Sequence, residues 1–247
     1  MDSPAPAPVP ARECYSWWEM TRDTANNNME GIRRCIQHAP EFTKAALGRS
    51  AKFGHVEMTL LLLAMHPDAQ MGTLCTAVEH DHPALVRALI PRTPDGIAYG
   101  FRMAVGLGNV PVLNLFLEVD LSRLDSGLVQ AVFYQQSGSI RRLIDAGATS
   151  FTSAMNVSSL DTPMDDIQLL IEKGATGWPS HVYRRLARDP ERIVHLLKCG
   201  IPRALLTGGH APIQAIVDEQ DRRDALIRAE LDKLGVYKVL ADLIVQY

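Results

Sequence analysis

Apolar residues recur along the chain in stripes with the three- and four-residue spacing of a helix face. Met58, Leu61, Leu62 and Met65 form one stripe and Val112, Leu115 and Phe116 another, with more polar residues opposite. One landmark from each such stripe gives Ile36, Leu62, Leu89, Phe116, Ile144, Leu170 and Leu197, separated by 26, 27, 27, 28, 26 and 27 residues. A preceding set, Leu47, Leu74, Phe101 and Leu128, advances by 27 residues each time. Three residues after each stands a small side chain, Ser50, Ala77, Ala104 or Ala131, which permits close helix approach. The pattern predicts a two-helix unit repeated along the chain. One unit alone cannot cover its apolar stripe, so neighbours must stack on both sides and build one extended core.

Turn chemistry falls at the boundaries this period sets. Gly54-His55, Asp81-His82-Pro83, Gly108-Asn109 and Ser137-Gly138 lie between the two helices of their units. Pro83, Pro163 and Pro190 fall near helix starts, where a missing N–H costs little. Gly147, Gly174 and Gly200 follow the second helices, where a left-handed residue ends them. Asp81 or His82 is expected to cap the helix that begins at Pro83. Asp161 or Thr162 is expected to cap the helix whose first position is Pro163, with Asp165 and Asp166 complementing its positive end.

These residues carry a family resemblance. AALGRSAKFGHVEMTLLLL (Ala45 to Leu63) is similar to the ankyrin repeat, with Ser50-Ala51 at its Ala-Ala pair and Gly54-His55 at its Gly-His. TLCTAVEHDHPALVRALI and FRMAVGLGNVPVLNLFL are related fragments, and LIDAGA and LIEKGA resemble the repeat ends. No unit keeps an intact TPLH, and the period of 27 is shorter than the family's usual ~33, which implies trimmed or missing β-hairpin fingers. The resemblance runs from about Phe42 to Ile201 and, more faintly, over Glu13 to Pro40. It implies an all-α fold, an α-solenoid of stacked helix-turn-helix, ankyrin-like repeats with helical caps. On this reading residues 1–11 are a flexible Pro/Ala-rich arm, 12–201 the repeat array, and 202–247 a C-terminal cap of two or three helices. The N-terminal counterpart is a helix near Arg12 to Arg22.

Composition narrows the function classes. A hydrophobic content of 47% over 247 residues supports a continuous core. Lys and Arg number 25 against 28 Asp and Glu, a net charge of -3, so no basic excess favours nucleic acid or an anionic membrane. The apolar cluster Met58 to Met65 falls far short of the roughly 18–20 residues of a membrane span. Met1 to Ala11, MDSPAPAPVPA, lacks the basic and apolar regions of a signal peptide and is expected to be an extended arm. Cys14, Cys35, Cys75 and Cys199 form no CxxC pair, which points to small buried thiols in a reducing compartment, the cytosol or nucleus, and away from structural zinc.

Candidate chemistry has plainer structural explanations. His80-Asp81-His82 has the residue types of a metal site but stands where the repeat expects a turn. Asp161, Asp165 and Asp166 could pair carboxylates for Mg²⁺ or acid-base work, yet they stand where a helix start wants a cap and negative charge. GLGN (Gly106 to Asn109) and TGGH (Thr207 to His210) lack the GK[ST] of a phosphate loop, and no GxSxG occurs. No metal, cofactor or catalytic residue is therefore assigned.

In ankyrin-like stacks the first helices line the concave face. The resemblance thus implies a groove formed by Arg49, Lys52, Phe53, Thr76, Glu79, His80, Met103, Leu107, Gln130, Phe133 and Tyr134, extended by Tyr183, Arg184, Arg185 and Arg188. Trp, Tyr and Arg are the residues that dominate binding hot spots. Trp17 and Trp18 point about 100° apart on a helix, so at least one is expected to be partly exposed and to anchor the N-terminal cap, the alternative being a ligand contact. The expected function is a non-catalytic scaffold for a protein partner, and the alternative is an enzyme or small-molecule binder with a pocket formed in the groove.

Overall fold

The computed structural model describes residues 15–208 and 210–233, and among these no strand occurs. Helices follow one another in pairs: α1 (Trp17–Ala25) with α2 (Met29–His38), α3 (Thr43–Phe53) with α4 (Val56–Met65), α5 (Gln70–Glu79) with α6 (Pro83–Leu89), and α7 (Ile97–Leu107) with α8 (Val110–Leu117). Then come α9 (Leu124–Phe133) with α10 (Ser137–Asp145), α11 (Phe151–Asn156) with α12 (Met164–Glu172), α13 (Ser180–Leu186) with α14 (Pro190–Lys198), and α15 (Arg203–Thr207) with α16 (Ala211–Lys233). The first helices α3, α5, α7, α9 and α11 start at Thr43, Gln70, Ile97, Leu124 and Phe151, 27 residues apart each time. The second helices from α2 to α12 keep the same 27-residue step, and α14 follows after 26.

The backbone explains this constancy. Asn27, Gly54, Asp81, Gly108 and Gln135, again 27 apart, all have positive φ, between 55° and 75°. The next residue in each case, Asn28, His55, His82, Asn109 or Gln136, precedes the second helix as its N-cap. Its N–H reaches back five residues to the carbonyl of Asp23, Ser50, Ala77, Ala104 or Ala131. This left-handed stop reverses the chain and satisfies a carbonyl that the first helix leaves open. Gly147, Gly174 and Gly200 end second helices in the same manner, with Ala148, Ala175 and Ile201 donating to Leu143, Leu170 and Leu196.

The chain divides into two compact units, Met1–Arg123 and Leu124–Tyr247, a boundary within the span read from sequence as one array. In the first unit α3 packs on α1, α4 and α5, α5 on α6 and α7, and α7 on α8, while α4 meets α6 and α6 meets α8. First helices thus touch first helices and second helices touch second helices. Leu47, Leu74 and Phe101 are buried between them, as are Leu62, Leu89 and Phe116, each contributing roughly 1.5–3 kcal/mol by leaving water. Ser50, Ala77 and Ala104 are fully buried at the close approaches. Gly100 marks another, since a Cβ there would lie 2.5 Å from the Phe116 ring.

In the second unit α9 packs on α10 and α11, α11 on α12, α13 on α14, and α16 on α14 and α15. Leu128, Leu170 and Ala131 keep their buried positions. The landmarks Ile36 and Leu197 are only partly covered, and Cys35 and Leu196 beside them are fully buried instead.

Several local expectations need correction. The N-terminal helix begins at Trp17, after a Ser16–Glu19 capping box, and residues 12–14 lie outside the described set, as does the arm 1–11. Neither Asp81 nor His82 caps α6 with its side chain: Asp81 takes the left-handed turn position and accepts from Asn109 Nδ2 at 2.9 Å, while His82 Nε2 bonds the Lys52 carbonyl at 2.7 Å. Pro163 is the N-cap of α12, outside its first position, and Thr162 Oγ1 accepts instead from Ser159 N–H. Asp165 and Asp166 do occupy the first turn of α12. The described part of the C-terminal segment forms two helices, α15 and α16, and residues 234–247 lie outside the described set.

Candidate functional site

Large apolar side chains left exposed are unevenly placed. Among the described residues Trp17, Trp18, Phe53, Met71, Tyr99, Leu107 and Phe133 lie on first helices of pairs, whereas Met65 alone lies on a second helix from α2 to α14. Tyr134, directly after α9, joins the first group. The same helices bury their opposite sides, so this asymmetry is not a failure of core formation.

In the first unit Arg49 stands over the Phe53 ring at 5.9 Å, and Phe53 stacks on His55 with ring centroids 5.8 Å apart. Arg49 Nε and His55 Nε2 are shielded from water and have no hydrogen-bond partner, a costly arrangement. On α7, Arg102 stands over Tyr99 at 5.7 Å. These are guanidinium–aromatic pairs of the kind that pre-form a contact surface. In the second unit Phe133 and Tyr134 meet edge to face at 5.2 Å and are 63% and 50% exposed.

The residues expected in the groove divide by burial. Lys52, Phe53, Glu79, His80, Leu107, Phe133, Tyr134, Arg184 and Arg188 are exposed, and Arg49, Thr76, Met103, Gln130 and Arg185 are half-buried. Tyr183 is a correction: it is buried between Trp178 and the His210 ring, stacked on the latter at 4.4 Å, and its hydroxyl donates to the Leu205 carbonyl. Arg185 likewise turns inward to the Thr162 carbonyl at 2.7 Å. Met71 and Tyr99, outside the expected groove set, sit near the starts of α5 and α7, whereas the expected residues cluster in the turn-proximal halves of the first helices. Trp17 packs edge-on against Phe42 at 5.6 Å, as a cap anchor would, while Trp18 is 74% exposed.

The other sequence candidates resolve into turn and helix-start contacts. Asp166 is buried and accepts from the Ser137 hydroxyl, and Asp165 pairs with Arg192 at 3.0 Å. Gly108 and Gly208 supply left-handed helix ends. Of the cysteines expected to be buried, Cys35 is buried, Cys75 is half-buried, and Cys199 is exposed beside Glu172 and His195. Cys14 lies outside the described residues. Partial desolvation and the Glu172 carboxylate push the Cys199 thiol up.

An open cleft of about 400 Å³ lies in the second unit, lined by Arg141, Ile144, Asp145, Asp165, Gln168, Leu169, Glu172 and Lys173. Its walls come from second helices, not from the side that carries the exposed aromatics. Among the described residues no helix is long and apolar enough to cross a membrane. No protein-family model, curated protein or solved structure matches the chain.

Proposed function

We propose that this chain is a stack of shortened, ankyrin-like helix pairs, an α-solenoid, that binds a protein partner through the outward sides of its first helices and catalyses no reaction. The observation that carries this reading is the placement of the exposed aromatic side chains on or beside first helices, with Met65 the one large exposed apolar side chain on the second helices from α2 to α14 and Leu226 and Ile227 on α16. Guanidinium–aromatic pairs at Arg49–Phe53 and Arg102–Tyr99 add anchors that lose little conformational freedom on binding. The lack of basic excess is consistent with a protein partner more than with nucleic acid.

The test is a comparative capture from the native cell by quantitative mass spectrometry. The Phe133→Ala/Tyr134→Ala and Phe53→Ala/Tyr99→Ala double variants are expected to keep their helical signal and lose the principal partner, with each hot-spot side chain contributing about 2 kcal/mol. Equal capture by both folded variants would refute the assignment. The alternative, a small-molecule pocket, would rest on the cleft between α10 and α12, which is open and lined largely by charged groups.

A further inference from the structure

A cluster of three different ligand types stands apart from the first-helix side. His195 lies on α14, Cys199 is that helix's C-cap one turn later, and Glu172 is the last residue of α12. All three are exposed. Cys199 Sγ lies 3.4 Å from His195 Nε2 and 3.7 Å from Glu172 Oε1, and His195 Nε2 lies 3.6 Å from the same carboxylate oxygen. We propose that Glu172, His195 and Cys199 form a three-ligand site for a borderline-soft divalent cation, zinc above all, with the fourth position open to water.

The spacing already matches a coordination tetrahedron. Bonds of ~2.3 Å to sulfur and ~2.0 Å to nitrogen and oxygen, at tetrahedral angles, place sulfur roughly 3.5 Å from each of the other donors and nitrogen roughly 3.3 Å from oxygen. The observed 3.4, 3.6 and 3.7 Å differ from these by a few tenths of an ångström, so little rearrangement is needed.

The donor set then selects the ion. A thiolate and an imidazole suit zinc and its neighbours, whereas calcium and magnesium want several oxygens. Thiolate and carboxylate together balance a double positive charge. The thiol proton leaves to solvent as the metal enters, His195 donates the lone pair of its neutral Nε2, and Glu172 binds as the carboxylate.

The surroundings support the ligands. Gln168, one turn earlier on α12, donates from Nε2 to Glu172 Oε1 at 2.8 Å, the kind of outer contact that orients a ligating carboxylate. Arg192, on the same helix as His195, is engaged by Asp165 at 3.0 Å and Asp189 at 3.3 Å, so its charge is already taken up. Glu172 and Cys199 also stand where α12 and α14 expose carbonyl ends, whose partial negative charge favours a cation.

Cobalt(II) titration of the reduced full chain tests the site. A thiolate-to-cobalt charge-transfer band in the near ultraviolet, with the intense visible bands of a four-coordinate ion, is expected, and both should vanish on adding zinc. Cys199→Ser should abolish the charge-transfer band and weaken zinc binding by at least about 100-fold, and Gln168→Ala should weaken it by about 10-fold. In the unmodified chain zinc should slow alkylation of Cys199, read by peptide mass spectrometry, without slowing that of Cys75. Absence of the band, its survival in a folded Cys199→Ser variant, or Cys199 alkylation indifferent to zinc would overturn the proposal.

Discussion

Helices α3, α5 and α7 of the first unit run 11, 10 and 11 residues, whereas α11, α13 and α15 of the second run 6, 7 and 5. Helices so short are far from stable alone, and each buries less apolar surface against its neighbours. Side chains from adjoining pairs hold their ends in place. The Asp125 carboxylate accepts the N–H groups of Thr149 at 2.6 Å and Ser150 at 2.9 Å, just before α11. Thr152 Oγ1 accepts the Thr176 N–H at 2.9 Å, and Arg185 reaches the Thr162 carbonyl. The first unit uses such bonds mainly at its turns, as in His82 with Lys52 and Asn109 with Asp81. The contrast teaches that a helix stripe can shorten within one repeat length when a neighbouring pair satisfies its open backbone groups.

This contrast is open to attack by mutation. The largest effect is expected at Phe116, fully buried against Gly100, where Phe116→Ala should cost about 3–5 kcal/mol in urea unfolding. A loss below about 1 kcal/mol would remove apolar stacking as the first unit's main support. Asp125→Ala should cost about 1 kcal/mol, as the loss of a helix cap does.

The Asp125 effect also has a pH signature. Backbone N–H groups of Thr149 and Ser150 hold the Asp125 carboxyl below its ordinary range. A depressed folded value means that the stabilisation is complete above the unfolded value, ~3.9, and is lost as pH falls through the folded value. The stability gap between the parent and Asp125→Ala should therefore close below about pH 4, and a gap that persists there would break the capping account.

The smallest effect is expected at Gln135, which has φ of 59° at the position that Gly54 and Gly108 fill elsewhere. Gln135→Gly should raise stability by about 0.5–1 kcal/mol, because glycine takes the left-handed conformation without steric cost. Its exposed contact to Ser159 at 3.2 Å offsets little of this. Thermal unfolding of the single variant would sharpen the comparison, and a clear loss would show that the side-chain contact outweighs backbone strain.

Much of the framework is legible in the order of residues. The 27-residue rhythm, the paired helices, the buried small residues at Ser50, Ala77, Ala104 and Ala131, and the glycines ending second helices all follow from local spacing and backbone preference. Asn27 and Gln135 extend the positive-φ series, although neither position was singled out as a turn from the chain alone. His195 and Cys199 stand four residues apart and so share a helix side, a signal that the spacing of the cysteines alone does not carry.

Residue order alone determined the repeat, because helix period, turn residues and small contact positions act over a few neighbours. Only the tertiary structure decided which side chain does what at the seams: that the His82 ring bonds the Lys52 carbonyl and leaves the first N–H groups of α6 without a side-chain cap, that Tyr183 turns inward, and that Glu172 meets His195 and Cys199. Those partners lie 23 to 30 residues apart, and their meeting depends on how one helix pair sits on the next, a placement set by packing and not by any local preference.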